Sequence, residues 1–497
     1  MQDLTGKKLT STSNKTYILD KEIGKGAQGI IYSETTGKYL IKLFLGKRNL
    51  EINLKKLKKL LRVNYPPRFI RPVDIIEIRD ANNELLLAGY VMSRVVEHFS
   101  LNKLLVPPQG ESLSDWYNTF SGGLKRRLYL SYLIAMNFYL LHRNNIAYCD
   151  VSGNNILVAE DPKKASICMI DIDNLYTPGY ESATVLGTPR YMAPEIGNGQ
   201  LQPDILSDDY SLAVIIFELL KCAHPYIGDF VEQSTPEVEE MAFCGKMPYI
   251  EDPDNEENRS SSALPNEAVF NEKLAKMFLR TFVDGKTNRM NRTTAWDMAI
   301  KCLEASNSLI KCEHCGAWYF PNKKTDTLTY QCHWCDETNK LNSYFLVYKR
   351  YPSYLSEITN EKHSITNNDK NVKSQITYIL RNNEANEITE NYLHNVITDN
   401  EIAKQNDKFN TIGNIKVALR VACFNGVWKI QNVSGRQYFL RKKNIGDFIP
   451  FDNNTVIEIS HGDCIYSSQD KQKDNLTYNQ IMQEDIKPII FLQFNLR

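Results

Sequence analysis

Tyr148-Cys149-Asp150-Val151-Ser152-Gly153-Asn154-Asn155-Ile156-Leu157-Val158 sets a polar turn directly ahead of an apolar strand. Asp150 can accept a proton from a hydroxyl, and Asn155, five residues on, can hold a divalent cation. In isolation the same residues serve equally well as turn formers, because Asp, Asn and Gly favour turns for local conformational reasons. The reading therefore depends on whether the flanking chain supplies the rest of a phosphoryl-transfer site, in order.

At 497 residues the chain is too long for one ordinary core, so two to four domains are expected. A hydrophobic fraction of 42% supports sizeable cores. Basic and acidic residues number 59 each, so no global field draws the protein toward nucleic acid or an anionic membrane. The N-terminal Met1-Gln2-Asp3-Leu4-Thr5-Gly6 has no apolar core and is not read as a secretory signal. The longest apolar stretch, Leu128 to Leu141, is too short to span a bilayer, so a soluble, cytoplasmic protein without membrane partners is expected. Of eleven cysteines, four form two CxxC pairs, the usage of a reducing compartment with a metal site.

Upstream of the opening stretch, Tyr17 to Ile23 reads as a strand, Gly24-Lys25-Gly26-Ala27-Gln28-Gly29 interrupts it, and Ile30-Ile31-Tyr32 resumes it. Gly24, Gly26 and Gly29 would let backbone N–H groups approach a polyphosphate without obstruction. A plain glycine-rich hairpin is the competing reading, and a Rossmann loop is disfavoured because a strand follows where that fold needs a helix. Lys38 to Leu45 places Lys42 in an otherwise apolar run, and a strand lysine so buried should meet an anion. Leu50, Leu54, Leu57 and Leu61 repeat at helical spacing, and Glu51 is the only acid of that helix, hence the candidate partner of Lys42. Its Lys55, Lys56, Lys58 and Lys59 read as a solvated face, with nucleic acid or lipid contact as the alternative. Arg68 to Ile76 and Leu85 to Met92 complete a small lobe of five strands and one helix.

Downstream, Ile167 to Asp173 is a short apolar strand running into Asp171, which would sit at the lip of a cleft and share a divalent cation. Then comes Gly187-Thr188-Pro189-Arg190-Tyr191-Met192-Ala193-Pro194-Glu195. Over its whole length this nonapeptide resembles the end of a protein kinase activation segment. Ser207-Asp208-Asp209-Tyr210-Ser211-Leu212-Ala213 resembles the buried helix that anchors a kinase catalytic loop, with His224-Pro225-Tyr226 and Asn291-Arg292-Thr293-Thr294 following in family order. The resemblance runs from about Tyr17 to Leu303. It implies Asp150 as proton acceptor, Asn155 and Asp171 as Mg2+ ligands, and Lys42, held by Glu51, as the clamp on ATP phosphate. It also implies Met92 as gatekeeper, Ser93 to Val95 as the adenine hinge, and Ile23, Ile31, Leu40 and Leu157 as the slot around the base. Arg292 is then the buried partner of Glu195, and Asp208 the acid that binds loop backbone.

Departures from the family pattern carry their own expectations. Cys149 stands where many kinases have Arg, so the resemblance implies no need for phosphorylation of Thr177, Tyr180, Ser182 or Thr184. Ser152 replaces a phosphate-contacting Lys, and Asp173 replaces the usual Gly of the metal-binding triplet. These loops resemble a bacterial, eukaryotic-like kinase subgroup, which implies a PP2C-type phosphatase and a von Willebrand A-domain protein as partners.

Cys312-Glu313-His314-Cys315 and Cys332-His333-Trp334-Cys335 have the spacing of a structural zinc ribbon, in which Cys312, Cys315, Cys332 and Cys335 close a tetrahedral Zn2+ site. The loop between the knuckles offers few cations, so nucleic-acid binding is not expected of the ribbon. Residues 356–414 are polar apart from a strand at Gln375 to Leu380. From Ile415 the chain alternates as an antiparallel sandwich, with a hairpin turn at Asn425-Gly426. Trp428 to Gly435 and His461 to Ile465 resemble the later half of a forkhead-associated domain, whose phosphothreonine-peptide pocket cannot be placed here.

The expected architecture is α+β: a bilobal kinase fold over 1–305, with the smaller lobe at about 15–95 and the larger at about 96–305. A zinc ribbon follows over 306–342, then a strand with a polar linker or long loop over 343–414, and an all-β sandwich over 415–497. The expected function is Mg2+- and ATP-dependent phosphorylation of a protein hydroxyl. The alternative is a pseudokinase whose nucleotide site regulates partner assembly.

Overall fold

The computed structural model describes residues 3–26, 29–46, 49–62, 66, 68–178, 186–321, 329–340, 343–350, 372–380, 385–389, 417–443, 448–467 and 489–496. The chain divides into two compact units. The first comprises Met1–Tyr117, Tyr129–Leu264 and Glu272–Cys302, and the second Asn118–Leu128, Pro265–Asn271 and Leu303–Arg497.

In the first unit, β1 (Lys8–Thr10), β2 (Thr16–Lys25), β3 (Gly29–Glu34), β4 (Tyr39–Phe44), β5 (Pro72–Arg79) and β6 (Leu85–Ser93) form one sheet in the order β1-β2-β3-β4-β6-β5. The expected lobe has five strands; β1 is the sixth, and three residues reading Lys-Leu-Thr carry too little periodicity to announce it. β4 is paired on both edges, by β3 and β6, and its Lys42 is only 4% exposed. The pairing brings Gly89 opposite Leu43, where a Cβ would lie 2.1 Å from the Lys42 carbonyl oxygen, so only glycine lets the strands approach this closely.

Helix α1 (Leu50–Leu60) buries Leu50, Leu54, Leu57 and Leu60, the first three in one core with Phe44, Tyr90 and Met92. Leu61, expected on that stripe, lies beyond the helix and is exposed. β5 begins at Pro72 rather than Arg68. The preceding segment is drawn elsewhere: Met169 N donates to Arg68 O at 2.8 Å and Ile70 N to Met169 O at 2.9 Å. Proline lacks the N–H needed to continue a ladder, which makes it a natural first strand residue.

The rest of this unit is mainly helical around a small sheet, β7 (His98–Ser100), β8 (Ile156–Ala159) and β9 (Ile167–Met169), in that order. Helix α2 (Gly123–His142) runs up to the turn before the opening stretch. Helix α3 (Ile205–Lys221) is buried at every position from Ser207 onward; Leu212 to Phe217 is apolar on all faces, as a buried helix requires. Asp204 and Ser207 form a reciprocal capping box at its start, and Cys222 ends it in a left-handed conformation with φ 59°.

Glu195 and Arg292 form a bidentate pair with both N···O distances at 2.8 Å, and Arg289 Nε lies 2.8 Å from the same carboxylate. Burial opposes ionisation of Glu195, but the hydrogen bonds and charge of Arg292, helped by Arg289, prevail and hold its carboxyl below the ordinary range.

The second unit contains two small hairpins, β10 (Ile310–Lys311) with β11 (Trp318–Tyr319) and β12 (Thr329–Gln331) with β13 (Thr338–Lys340). After them come two sheets. One has the order β15 (Val372–Leu380), β14 (Ser343–Arg350), β23 (Ile489–Asn495), β22 (Cys464–Ser467), β19 (Tyr438–Arg441), β20 (Phe448–Phe451). The other has the order β16 (Asn386–Thr389), β17 (Val417–Phe424), β18 (Val427–Asn432), β21 (Val456–Ile459). Phe345, Leu380, Leu440, Leu492 and Phe494 from the first sheet share one core with Ile388, Leu419, Trp428 and Ile430 from the second. The hairpin at Asn425-Gly426 has both residues left-handed, at φ 51° and 79°, as a two-residue turn of that composition requires.

This pairing corrects two expected boundaries. Residues 343–414 do not form a segment apart from the sandwich, because β14 and β16 within them pair with β23 and β17 of the C-terminal region, and β15 pairs with β14. The sandwich therefore starts at about Ser343 rather than at residue 415. Its first strands are separated in sequence by polar runs at 351–371 and 390–416, which lie outside the described residues and are why the stretch reads as one strand with a polar linker or long loop.

Arg292→Met, which leaves Glu195 charged and buried, should cost about 3 to 5 kcal/mol in urea unfolding. Because the folded pKa of Glu195 is depressed, the pair's contribution is full above its ordinary value of 4.5 and is lost as pH falls through the lower folded value. Wild-type and variant unfolding midpoints should therefore converge on acidification.

Candidate functional site

The glycine-rich turn joins β2 to β3 with Gly24 opposite Ile31, and Gly26 N donates to Gly29 O at 2.9 Å. The space over Gly24 and Gly26 is clear, whereas a Cβ on Gly29 would lie 2.8 Å from Leu43 O. Gly29 is thus required by the sheet, and the first two glycines leave the turn's inner side open to a ligand. Ala27 and Gln28 lie outside the described residues.

Lys42 Nζ lies 2.9 Å from Asp171 Oδ1. The expected partner, Glu51, is elsewhere: its side chain is 61% exposed and forms a salt bridge with Arg79, Nη1 to Oε1 at 2.6 Å. Glu51 sits off the leucine stripe that faces the sheet, since successive helical residues turn by about 100°. It was singled out as the helix's only acid, and composition is silent on which way that acid faces. The anion that a buried strand lysine demanded is instead the carboxylate at the end of the β9 strand.

Asp171 itself is left-handed, with φ 57° and ψ 53°, and caps a single turn over Ile172–Asn174. Ile170 N donates to Asn155 O at 3.0 Å, which ties the start of that turn to the opening stretch. Asn155 donates through Nδ2 to Asp150 O at 2.9 Å and to Asp150 Oδ2 at 3.1 Å. Both bonds use the amide nitrogen, leaving the carbonyl oxygen for a cation. Thr188 Oγ1 donates to Asp150 Oδ1 at 2.7 Å, and Asn174 Nδ2 to Oδ2 at 3.3 Å.

The loop carrying Asp150 is held from below. Asp208, on the buried helix α3, accepts Tyr148 N at 2.6 Å and Cys149 N at 2.9 Å. Cys149 adopts φ 66°, a conformation that costs a non-glycine residue and here turns its N–H toward Asp208. Its thiol is driven up by burial, so it is a poor nucleophile. His142, at the end of α2, lies with Nε2 3.2 Å from Asp208 and Nδ1 3.6 Å from Asp209. Burial disfavours the imidazolium, but these two carboxylates outweigh it and raise the His142 pKa above its ordinary value. Asp209 is pushed up to about 7 by burial, although His142 and a hydrogen bond from Ala295 N favour its charged form.

The residues expected around an adenine base lie on or just beyond β2, β3, β4, β6 and β8. Met92 is buried in the α1 core, with Ile31 and Leu40 packed half-buried against the same cluster. Leu40 pairs with Met92 across β4 and β6, and Leu157 follows on β8. Ile23 is 50% exposed, Ser93 is exposed at the end of β6, and Val95 is half-buried just beyond it. Such half-covered aliphatics are what a slot for a flat apolar ring would present.

Oxygen donors at Asp171 and Asn155 beside an ammonium at Lys42 suit Mg2+ and a polyphosphate, since Mg2+ prefers one or two protein oxygens with the rest from phosphate and water. Asn174 and His142 stand outside the site expected from the sequence, and Asp209 and Thr188 fall within its motifs without a role of their own. Thr188 lay within a quoted motif and Asn174 directly beyond the metal triplet, but only the fold shows both reaching Asp150. The Asp173 side chain and Tyr180, Ser182 and Thr184 lie outside the described residues.

In the second unit, the sulfurs of Cys312, Cys315, Cys332 and Cys335 all lie within 4.8 Å of one another. Cys312 to Cys335 measures 3.6 Å and Cys315 to Cys332 3.7 Å. A tetrahedral site with metal–sulfur bonds of about 2.3 Å needs sulfurs at about this spacing. Asn339 Nδ2 lies 3.5 Å from Cys312 Sγ, an outer contact of the kind that orients a ligand. His314 is exposed and His333 packs edge-on to Tyr319, and neither belongs to the cluster. Among the described residues no helix is long and apolar enough to cross a membrane.

A family model described as protein kinase domain matches residues 17–299, more than half of the chain. Among curated proteins, a probable myosin light chain kinase of Dictyostelium discoideum is 25% identical, over 45% of this chain and 55% of that protein. A carbon catabolite-derepressing protein kinase of Candida glabrata is 26% identical over 41% of this chain and 31% of its own length. Myosin light chain kinase A of Dictyostelium discoideum is 27% identical over 46% of this chain and 74% of its own. The match thus spans from about a third to about half of the first two relatives.

Because Lys42 pairs with Asp171 and Glu51 with Arg79, Lys42→Met should weaken nucleotide binding and Glu51→Ala should leave it unchanged, as read by titration with a fluorescent ATP analogue. Equal losses in the two variants would return Glu51 to the site.

Proposed function

Because the chain belongs to the protein kinase family, we propose that it transfers the γ-phosphoryl group of ATP to a serine or threonine hydroxyl of a protein substrate. The observation that carries this reading is the convergence of Lys42, Asp171, Asn155 and Asp150 from three separate stretches of sequence. Bound Mg2+ and ATP would supply the electrophilic phosphorus and much of the charge neutralisation. Lys42 would contact the phosphates, while Asp171 and Asn155 would hold the cation. Asp150 would orient the acceptor hydroxyl and take its proton as the new oxygen–phosphorus bond forms and the bond to the β-phosphate oxygen breaks. Catalysis is then mostly positioning and electrostatics, with little covalent chemistry asked of the protein.

A second reading, a nucleotide-binding scaffold that regulates partner assembly, is favoured by Ser152 at a position where a cation would assist transfer and by the outward Glu51. The four-cysteine cluster is read as a structural Zn2+ site, supported by its spacing and by the small core of Ile310, Tyr319 and Cys332 around it. The two-sheet core supports a forkhead-associated-like reading of the sandwich, with a phosphothreonine peptide as its candidate ligand. Asp171-Ile172-Asp173, Leu212-Ala213-Val214 and His224-Pro225-Tyr226 support bacterial signalling, with a PP2C-type phosphatase and a von Willebrand A-domain protein as partners.

Purified protein incubated with Mg2+, labelled ATP and a generic acceptor protein should incorporate phosphate, with Asp150→Asn and Asp171→Ala slower by at least about a hundredfold. Equal labelling in all three would overturn the kinase reading; ATP binding without labelling in any would select the scaffold. Metal analysis should find about one zinc per chain, lost on a Cys315→Ser, Cys332→Ser double substitution. A metal-free wild type that keeps its fold would refute the structural site.

A further inference from the structure

We infer that Asn174 is a positioning residue of the phosphoryl transfer, fixing the Asp150 carboxylate from the same turn that presents Asp171. The inference rests on the kinase reading and gives a role to a residue outside its expected site.

Among the described residues, the hydrogen bonds to the Asp150 carboxylate come from three side chains on three different segments. Asn155 belongs to Asp150's own loop, so its side-chain bond at 3.1 Å holds the carboxylate within that loop, and the loop meets the Asp171 turn through the backbone bond from Ile170 N to Asn155 O. Thr188, from the segment that begins at Leu186, holds Oδ1 at 2.7 Å. Asn174 holds Oδ2 at 3.3 Å and is 4% exposed, so its amide is committed to the interior.

Its backbone belongs to the single turn capped by Asp171, with Asn174 N pointing back to Asp171 O at 3.5 Å. Asp171 in turn pairs with Lys42 on the central strand of the sheet. A chain of contacts therefore runs from the ammonium meant for phosphate, through the cation-binding turn, to the proton acceptor. Asn174 is the link that ties the turn to the acceptor.

All three donors are neutral, two amides and one hydroxyl, and no cation among the described residues pairs with Asp150. With no ammonium to hold the carboxylate by charge, its rotamer depends on hydrogen-bond direction. Each donor then matters more than it would beside a cation. Asparagine at 174 supplies an N–H at the right reach, while the isosteric aspartate would place a second anion against Asp150.

Steady-state kinetics on the full-length chain with Asn174→Ala and Asn174→Asp test this. The expected result is a fall in kcat of about tenfold for Asn174→Ala, with KM for ATP within about twofold of wild type. Asn174→Asp should fall further than Asn174→Ala despite keeping the side-chain shape, which a packing role would not produce. Asn174→Ala with wild-type kcat, or an Asn174→Asp variant more active than Asn174→Ala, would overturn the inference and leave the kinase reading standing. A parallel loss of kcat and ATP affinity would make Asn174 merely structural and also overturn it. A wild-type chain without Asp150-dependent transfer would instead overturn the kinase reading, and this inference with it.

Discussion

A buried carboxylate accepting two consecutive backbone N–H groups is the constraint on which the site depends. Asp208 holds Tyr148 N and Cys149 N from the interior of helix α3, whose every residue from Ser207 to Lys221 is buried. Burying an anion is costly unless it is fully hydrogen-bonded, and the loop's own amides supply those bonds. The loop and the helix core are therefore mutually required. Cys149 can remain left-handed because the two bonds and the surrounding packing over-determine its conformation.

From that anchor outward, the site is assembled by pairs distant in sequence. Lys42 and Asp171 join the sheet to the turn that follows β9, Thr188 and Asn174 converge on Asp150, and Glu195 with Arg292 secures the segment beyond Thr188. His142 stands behind Asp208 and Asp209 together, a cluster in which one imidazole faces two carboxylates. Family membership makes the general plan intelligible, but these contacts belong to this chain's own residues.

The parts legible in the sequence were those where a residue type conflicts with its surroundings. A lysine inside an apolar strand demands an anion, two CxxC knuckles demand a common centre, and Asn-Gly between alternating runs demands a hairpin. Leu50, Leu54 and Leu57 likewise had to face a core, and they do. Illegible were facts of direction and of distant pairing. Glu51 is the right chemistry on the wrong face, and Asn174 looks like any turn residue until the fold brings Asp150 within reach. Of β14 to β16 only β15 carried a legible strand pattern; β14 and β16 are flanked by polar sequence, and it is pairing of β14 with β15 and β23, and of β16 with β17, that makes them parts of sheets.

The neutrality of the donors around Asp150 has a consequence for ionic strength. Dissolved ions weaken attractions between partly exposed charges but affect a hydrogen bond between a carboxylate and a neutral amide or hydroxyl much less. The Lys42 to Asp171 pair, with Asp171 28% exposed, is open to such screening, whereas the Thr188 and Asn174 bonds are much less so. The two halves of the site thus respond differently to their medium: the Lys42 to Asp171 pair weakens with salt, while the hold on the Asp150 carboxylate changes little.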